Sequence, residues 1–453
     1  MRVGAAALAL WALVGCQRAA PSQPRRAPAP PTTAPAPPAT TPAPAPWSEA
    51  WLLAEGARYL DDPGYRRSAL EASLTEHRNN YAQLRLSHYG LGASGWDNLP
   101  AWSPRVAPVT VAFSAPDAAP LAPLWDRRRP STLAEWIALG HKVFTLYPMR
   151  AERFIEWGLG RRDALSAHGV VPDAQGAYPG LVAFRDLEDR PRVGITCALC
   201  HSAPHAGGWV MGRARRRFDY GALRLAYHRD TGTPVEPSLA ARMATWGPGR
   251  ADVTEDEAED PVAIPDLFGL RHQRYLNQAG TLRHLGPVTL ALRQETQLLD
   301  SNHQAVRPPR ELAWALAMYL YSLTFSPVSA PATPASQRGE AVFSAACRSC
   351  HESPILGGDA IAVARVGTDP ALAMGSARGT GRYRVAALRG VREAGPWLHD
   401  GSLARLEDLF SEARFAPDFA RRVGRPGPVV GHRFGLDLSA RDKADLLAYL
   451  ATR

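Results

Sequence analysis

The chain has 453 residues, 45% of them apolar, which suits two or three packed domains and excludes both a short disulfide scaffold and a generally disordered protein. Lys and Arg number 52 against 43 Asp and Glu, a formal charge of +9 that leaves an acidic partner open but identifies none. The five cysteines, at positions 16, 197, 200, 347 and 350, hold most of the chemical information.

Residues 1–15 read as a signal peptide, with basic Arg2 followed by a short apolar run through Leu8, Leu10, Trp11 and Leu13. The run is too short to span a bilayer comfortably and gives way to polar residues and prolines. Leu13-Val14-Gly15-Cys16 resembles the lipobox of bacterial lipoproteins. That resemblance implies a lipidated Cys16 as mature amino terminus and a tether to the periplasmic face of a bacterial membrane; Gln17 favours the outer one. Ordinary cleavage nearby with a free Cys16 is the alternative. Residues 16–46 form the linker, where eleven prolines between positions 17 and 46 predict an extended, partly polyproline spacer.

The folded body is expected to begin near Trp47, with Ser48 capping a helix that contains Trp51, Leu52 and Leu53. Residues 47–326 would form an enlarged first domain. Helices are expected at 133–143 and 151–165, residues 170–178 are turn-rich, and no extended period-two pattern predicts a large sheet. Residues 327–336 read as a linker. Residues 337–453 form a smaller unit whose first helix runs into Cys347 and whose last begins with Ser439 and Asp442 in a capping-box relation. The fold class is therefore mainly α, with extensive loops and an enlarged amino-terminal region.

Cys197-Ala198-Leu199-Cys200-His201 and Cys347-Arg348-Ser349-Cys350-His351 are both CxxCH. This spacing is the attachment signature of c-type haem: one turn presents two thiols to the porphyrin vinyl groups and the next histidine to the iron. A lone CxxC could be a redox disulfide or half of a zinc site. Two copies, each with its histidine and together using every cysteine after position 16, predict two covalently attached haems, and with them two c-type cytochrome haem domains: the enlarged first one over residues 47–326 and the smaller one over 337–453. Four propionates would then offset part of the positive charge, and a nucleic-acid partner loses its support. Arg213, Arg215, Arg216 and Arg217 follow the first motif, as propionate ligands, as a docking face for an acidic redox protein, or as a solvated face.

From about Gly194 to Arg453 the chain resembles the bacterial dihaem cytochrome c peroxidase/MauG superfamily, with features of its rubber-oxygenase-like branch. The resemblance rests on Ile264-Pro-Asp-Leu-Phe-Gly-Leu270, Val366-Gly-Thr-Asp-Pro370, Tyr383-Arg-Val-Ala-Ala-Leu-Arg-Gly390 and Gly395-Pro-Trp-Leu-His-Asp-Gly-Ser402. It implies His432 as sixth ligand of the second haem, with Met374 as competitor, and a role for His399 in hydrogen bonding or electron-path organisation, alongside ordinary turn stabilisation. Trp397 is read as haem packing or core anchor. The Trp-Asp-Gly segment of the family's peroxidases is replaced by Gln278-Ala279-Gly280. Glu295 could occupy the region of the catalytic acid or be a solvated helical glutamate, and His272 and His284 are candidate distal ligands or acid–base groups, each against a bland helix or loop role. The expected function is periplasmic electron transfer with peroxidase-like reduction of hydrogen peroxide at the first haem, served by a redox donor or acceptor protein. Oxygenase-type oxidation of an organic or protein substrate by dioxygen, and a purely electron-carrying or sensing cytochrome, are the alternatives.

Overall fold

The computed structural model describes residues 44–90, 95–252, 254, 258, 260–325 and 331–453. The expected signal peptide, spacer residues 16–43 with Cys16, and linker residues 327–330 lie outside the described residues. From Pro44 to Arg453 the chain forms one compact unit in which both CxxCH segments are packed.

Helices begin where a side chain supplies the missing first-turn partner. Ser48 accepts from the Trp51 amide at the start of α1 (Glu49–Asp61), as expected; Asp62 and Asn79 do the same for α2 (Pro63–Ser73) and α3 (Asn80–His88). Thr132 and Glu135 close a capping box on α4 (Leu133–Leu146), which contains the helix expected from 133 to 143. The helix expected over 151–165 is divided into α5 (Arg153–Leu159) and α6 (Arg162–Ala167), with Gly160 at the break.

The enlarged region also contains a five-stranded antiparallel sheet in the order β2-β1-β4-β5-β3, built from β1 (Arg105–Thr110), β2 (Ala122–Pro123), β3 (Arg150–Ala151), β4 (Ala177–Arg185) and β5 (Pro191–Ile195). This corrects the reading that no sizeable sheet forms. Leu181 through Phe184 are all buried, so β4 is covered on both faces and lacks the alternation that marks a half-exposed strand.

The first haem motif forms the single turn α7 (Cys197–His201) directly after β5. It is followed by α8 (Tyr220–Thr231), α9 (Pro237–Trp246), α10 (Pro287–Ser301) and α11 (Arg310–Ser322). In the carboxy-terminal part, α12 (Pro334–Ala346) leads into the second motif. Two short helices, α13 (Val363–Val366) and α14 (Ala371–Met374), precede the closing helix α15 (Ala440–Leu450).

Two glycines set the main helix contacts. A Cβ on Gly140 of α4 would stand 1.9 Å from the Ala315 carbonyl oxygen of α11, and one on Gly339 of α12 would stand 1.9 Å from that of Asp445 on α15. Trp314 and Tyr59 stack in the first core with ring centroids 5.7 Å apart; Phe343 and Tyr449 meet at 5.1 Å in the second. Each large apolar side chain fully buried in this way contributes roughly 1.5–3 kcal/mol. Mainly helical structure with small sheets thus carries the two cysteine motifs. Among the described residues no helix is long and apolar enough to cross a membrane.

Candidate haem sites

The first CxxCH turn is fixed from several sides. Thr196 caps it, and Gly180 of β4, with φ +94°, lies so close that a Cβ there would meet the Leu199 nitrogen at 2.1 Å. Arg215, 2% exposed, donates from Nε to the Ser202 carbonyl at 3.0 Å and from Nη2 to the Pro179 carbonyl at 2.8 Å and the Ala198 carbonyl at 3.4 Å. A buried guanidinium on the carbonyl end of this turn satisfies acceptors that a one-turn helix leaves open. The neighbouring arginines do other work: Arg213 pairs with Glu393, Arg216 pairs with Asp266 at 2.8 Å and reaches the Gly395 carbonyl, and Arg217 is exposed.

The motif side chains are deep but not sealed. All four thiols are half-buried and free, and burial pushes Cys197 up to about 12 and Cys200 and Cys347 up to about 11. His201 Nδ1 lies 3.0 Å from the Pro265 carbonyl oxygen, and His351 Nδ1 lies 2.8 Å from that of Leu356. In each ring this bond places the proton on Nδ1 and leaves Nε2 as the ligating nitrogen, the arrangement that backbone carbonyls impose on metal-bound histidines. Burial holds His201 down to about 4 and His351 below the usual histidine range, so both imidazoles stay neutral.

The second motif continues α12, with Cys347 as its C-cap, and Gly358 packs so tightly that a Cβ would meet the Cys350 carbonyl oxygen at 2.0 Å. His432 lies near enough to His351 that charge on one disfavours charge on the other; with burial as the larger cause, this holds His432 down to about 4. Its Nδ1 is buried without a hydrogen-bond partner. Its backbone is in the left-handed region at φ +47°, held by His432 N donating to the Val366 carbonyl at 2.7 Å. Arg414, 0% exposed, spans the same loop by donating to the carbonyls of Val429 at 2.5 Å, Gly431 at 2.6 Å and His432 at 3.1 Å. Met374 is 65% exposed at the end of α14.

The other candidates are placed apart from one another. Glu295 is 1% exposed and accepts from the hydroxyls of Tyr59 and Tyr89, both at 2.8 Å, while Arg310 Nε lies 3.1 Å from its second oxygen. Both carboxylate oxygens are therefore engaged inside the helical core. His284 has its Nδ1 2.8 Å from the Gln273 carbonyl oxygen and its Nε2 2.5 Å from the Tyr321 hydroxyl, so neither nitrogen is free for iron. His272 ends a short 3-10 turn, where Arg271 and Arg389 add to burial in keeping it neutral. His399 stacks on Tyr383 with centroids 4.1 Å apart and lines a cavity of about 180 Å³ with Arg250, Asp260, Asp369 and Arg421. Trp397 packs in the second core and donates to the Val391 carbonyl at 3.3 Å.

The residues present fit two haems: paired thiols on single turns, neutral imidazoles with Nδ1 tied to a carbonyl, and near one of them a half-buried His432 whose Nδ1 has no hydrogen-bond partner. Sequence reasoning named Arg215 within a cluster and missed Arg414, Arg293 and Arg384, because an isolated arginine gives no signal of burial.

No family model matches the chain. It is 24% identical over 286 residues to methylamine utilization protein MauG of Methylorubrum extorquens, which covers 57% of this chain and 72% of that protein. Two solved structures are similar over part of the chain. A MauG-like protein associated with microbial copper homeostasis has a TM-score of 0.33 and 23% identity, over 47% of this chain and 79% of its own. Kuenenia stuttgartiensis hydrazine synthase has a TM-score of 0.34 and 14% identity, over 73% of this chain and 95% of its own. The chain is thus similar in sequence to MauG over more than half of its length.

Proposed function

We propose that this protein is an exported, lipid-anchored dihaem c-type cytochrome that passes electrons from a periplasmic redox protein through a haem held by His351 and His432 to a haem held by His201, where hydrogen peroxide is reduced. The observation that carries the proposal is the asymmetry of the two stations: a second neutral imidazole, that of half-buried His432 with its Nδ1 unpartnered, lies near His351, whereas His284, a candidate distal group of the first station, has both ring nitrogens engaged elsewhere. Bound haem supplies reversible one-electron iron chemistry and, where a coordination position is open, a site for a small oxygen ligand.

The chain's own residues supply the rest. Cys197 and Cys200, and Cys347 and Cys350, provide the thiols for two thioether pairs. Pro265 and Leu356 carbonyls hold the Nδ1 protons of His201 and His351 and so raise the basicity of the ligating nitrogens. Arg414 and Val366 hold the His432 loop against recoil. Arg213 and Arg216, pairing across to Glu393 and the Gly395 carbonyl, keep the two stations at fixed separation, which electron transfer between them requires. Cys16 would keep the assembly at the periplasmic face of the outer membrane, with residues 17–46 as spacer.

The test is addition of hydrogen peroxide to the purified dihaem protein, with absorption followed at the His201 haem and turnover measured with a reduced donor protein. A change confined to that haem, with donor oxidation in a two-to-one ratio to peroxide, is expected. No spectral change and no turnover would sink the peroxidase reading, and dioxygen uptake with a defined oxidised organic product would replace it by an oxygenase.

A further inference from the structure

Buried arginines in this chain normally have an evident counter-charge or a set of backbone carbonyls. Arg310 faces Glu295 and Asp97, Arg85 faces Asp300 at 2.9 Å, and Arg215 and Arg414 close on carbonyl oxygens. Arg293 and Arg384 differ. Arg293, on α10, donates from Nε to Asn277 Oδ1 at 3.1 Å and from Nη1 to Gln294 Oε1 at 3.3 Å and to Gln297 Oε1. Arg384 donates from Nη1 to Gln273 Oε1 and from Nη2 to Gln278 Oε1 at 3.5 Å, and its Nε is buried with no partner. Every one of these acceptors is a neutral amide, and among the described residues neither guanidinium is ion-paired with a carboxylate.

The two cations also act on each other and on the first haem station. Burial, with the neighbouring Arg293 charge as the second cause, lowers Arg384 to about 10. Arg293 lies close enough to Cys197 and His201 for its charge to be felt by both. Both side chains are half-buried. Arg384 comes from the carboxy-terminal part: its backbone nitrogen donates to the Gln278 carbonyl at 2.9 Å, and two residues later the Ala386 backbone meets the His351 imidazole. Gln278 in turn donates from Nε2 to the Ala263 carbonyl at 3.5 Å, two residues before the Pro265 carbonyl that meets His201 Nδ1, so the pair lies between the two CxxCH stations. Two neighbouring, half-buried cations met only by amide oxygens are poorly compensated, and an anion is the group that balances them.

We propose that Arg293 and Arg384 form an anion-binding subsite at the His201 haem station, which takes a negatively charged oxygen group: a carboxylate of the porphyrin itself or a small anionic ligand of the hydroperoxide class. The inference rests on haem occupancy of the Cys197, Cys200 and His201 motif.

The experiment uses the full dihaem protein and the variants Arg293→Met, Arg384→Met and Arg293→Lys, each first assayed for two covalent haems. Azide, an anion, and imidazole, a neutral ligand, are titrated against the ferric His201 haem, and its midpoint potential is measured by spectroelectrochemistry. If the subsite serves an exogenous anion, azide affinity falls about tenfold in the Met variants while imidazole affinity holds, because one charge-assisted bond to the anion is lost; Arg293→Lys recovers most of it. If it serves the porphyrin carboxylates, azide affinity is unchanged and the midpoint potential drops in both Met variants, because an unneutralised carboxylate favours the ferric iron. Azide affinity and potential both unchanged in folded, haem-loaded variants would overturn the proposal. If Arg293→Met or Arg384→Met is recovered without haem, Arg293→Gln and Arg384→Gln carry the same comparison. Absence of covalent haem from the Cys197 motif in the unmodified protein would instead overturn the proposed function.

Discussion

Glu295 separates two accounts of the same carboxylate, because its position in the sequence suggested an acid at the reactive haem while its contacts are those of a buried ion pair. Glu295→Gln keeps the shape and removes the charge. Two tyrosine hydroxyls at 2.8 Å lose a charged acceptor, and Arg310 loses one of its two carboxylate partners. Breaking a buried pair from one side costs about 3–5 kcal/mol. Unfolding the compact unit from Pro44 to Arg453 carries an entropy near 0.9 kcal/mol per kelvin at roughly 2.1 cal/mol/K per residue, so the apparent thermal midpoint falls by about 3–6 °C. The assay is differential scanning calorimetry of the haem-loaded protein beside its peroxide response. A lowered midpoint with the haem spectrum and peroxide response intact is expected. An unchanged midpoint with the peroxide response abolished would refute the reasoning and return Glu295 to the reactive site.

Other consequences are as direct. Replacing Cys197 and Cys200 by alanine removes one covalent haem and replacing Cys347 and Cys350 removes the other, read by pyridine haemochrome absorption; two retained haems in either double variant contradict the attachment map. Arg414→Met frees the carbonyls of Val429, Gly431 and His432, so the second haem loses its low-spin signal and exogenous imidazole restores it; an unaltered signal would show that the loop holds without Arg414. His284 is held below the usual histidine range by burial, only partly offset by the Gln273 carbonyl. The unfolded chain therefore binds more protons below pH ~6.5, and the stability His284 contributes above that value is lost as pH falls. The thermal midpoint should drop between pH ~7 and ~5 less steeply in His284→Gln than in the unmodified protein, and equal slopes would remove His284 from the account.

Local signals carried much of this structure. Ser48, the helix from Leu133 and the Ser439 cap are readable because a capping side chain and a 3.6-residue apolar period act within one element. The CxxCH turns are equally local, since thiols and imidazole must share one turn. β4 escaped because both its faces are covered, which removes the alternation that identifies a strand. The environments of Glu295, His284 and Met374 depend on partners far along the chain: Tyr59 lies 236 residues from Glu295, and Tyr321 lies 37 from His284. No periodicity encodes such meetings. His432 was reachable through its resemblance to a distal-histidine segment, but the Arg414 bonds that hold its loop connect residues whose sequence context reveals neither burial nor partner.

The central claim is that the two haems differ in the sixth ligand, and electron paramagnetic resonance of the fully ferric protein tests it most directly. One low-spin bis-imidazole signal that disappears in His432→Gly, together with a second signal that shifts on adding azide, is the predicted result. Two low-spin signals that azide leaves untouched, or a spectrum indifferent to His432→Gly, would contradict it.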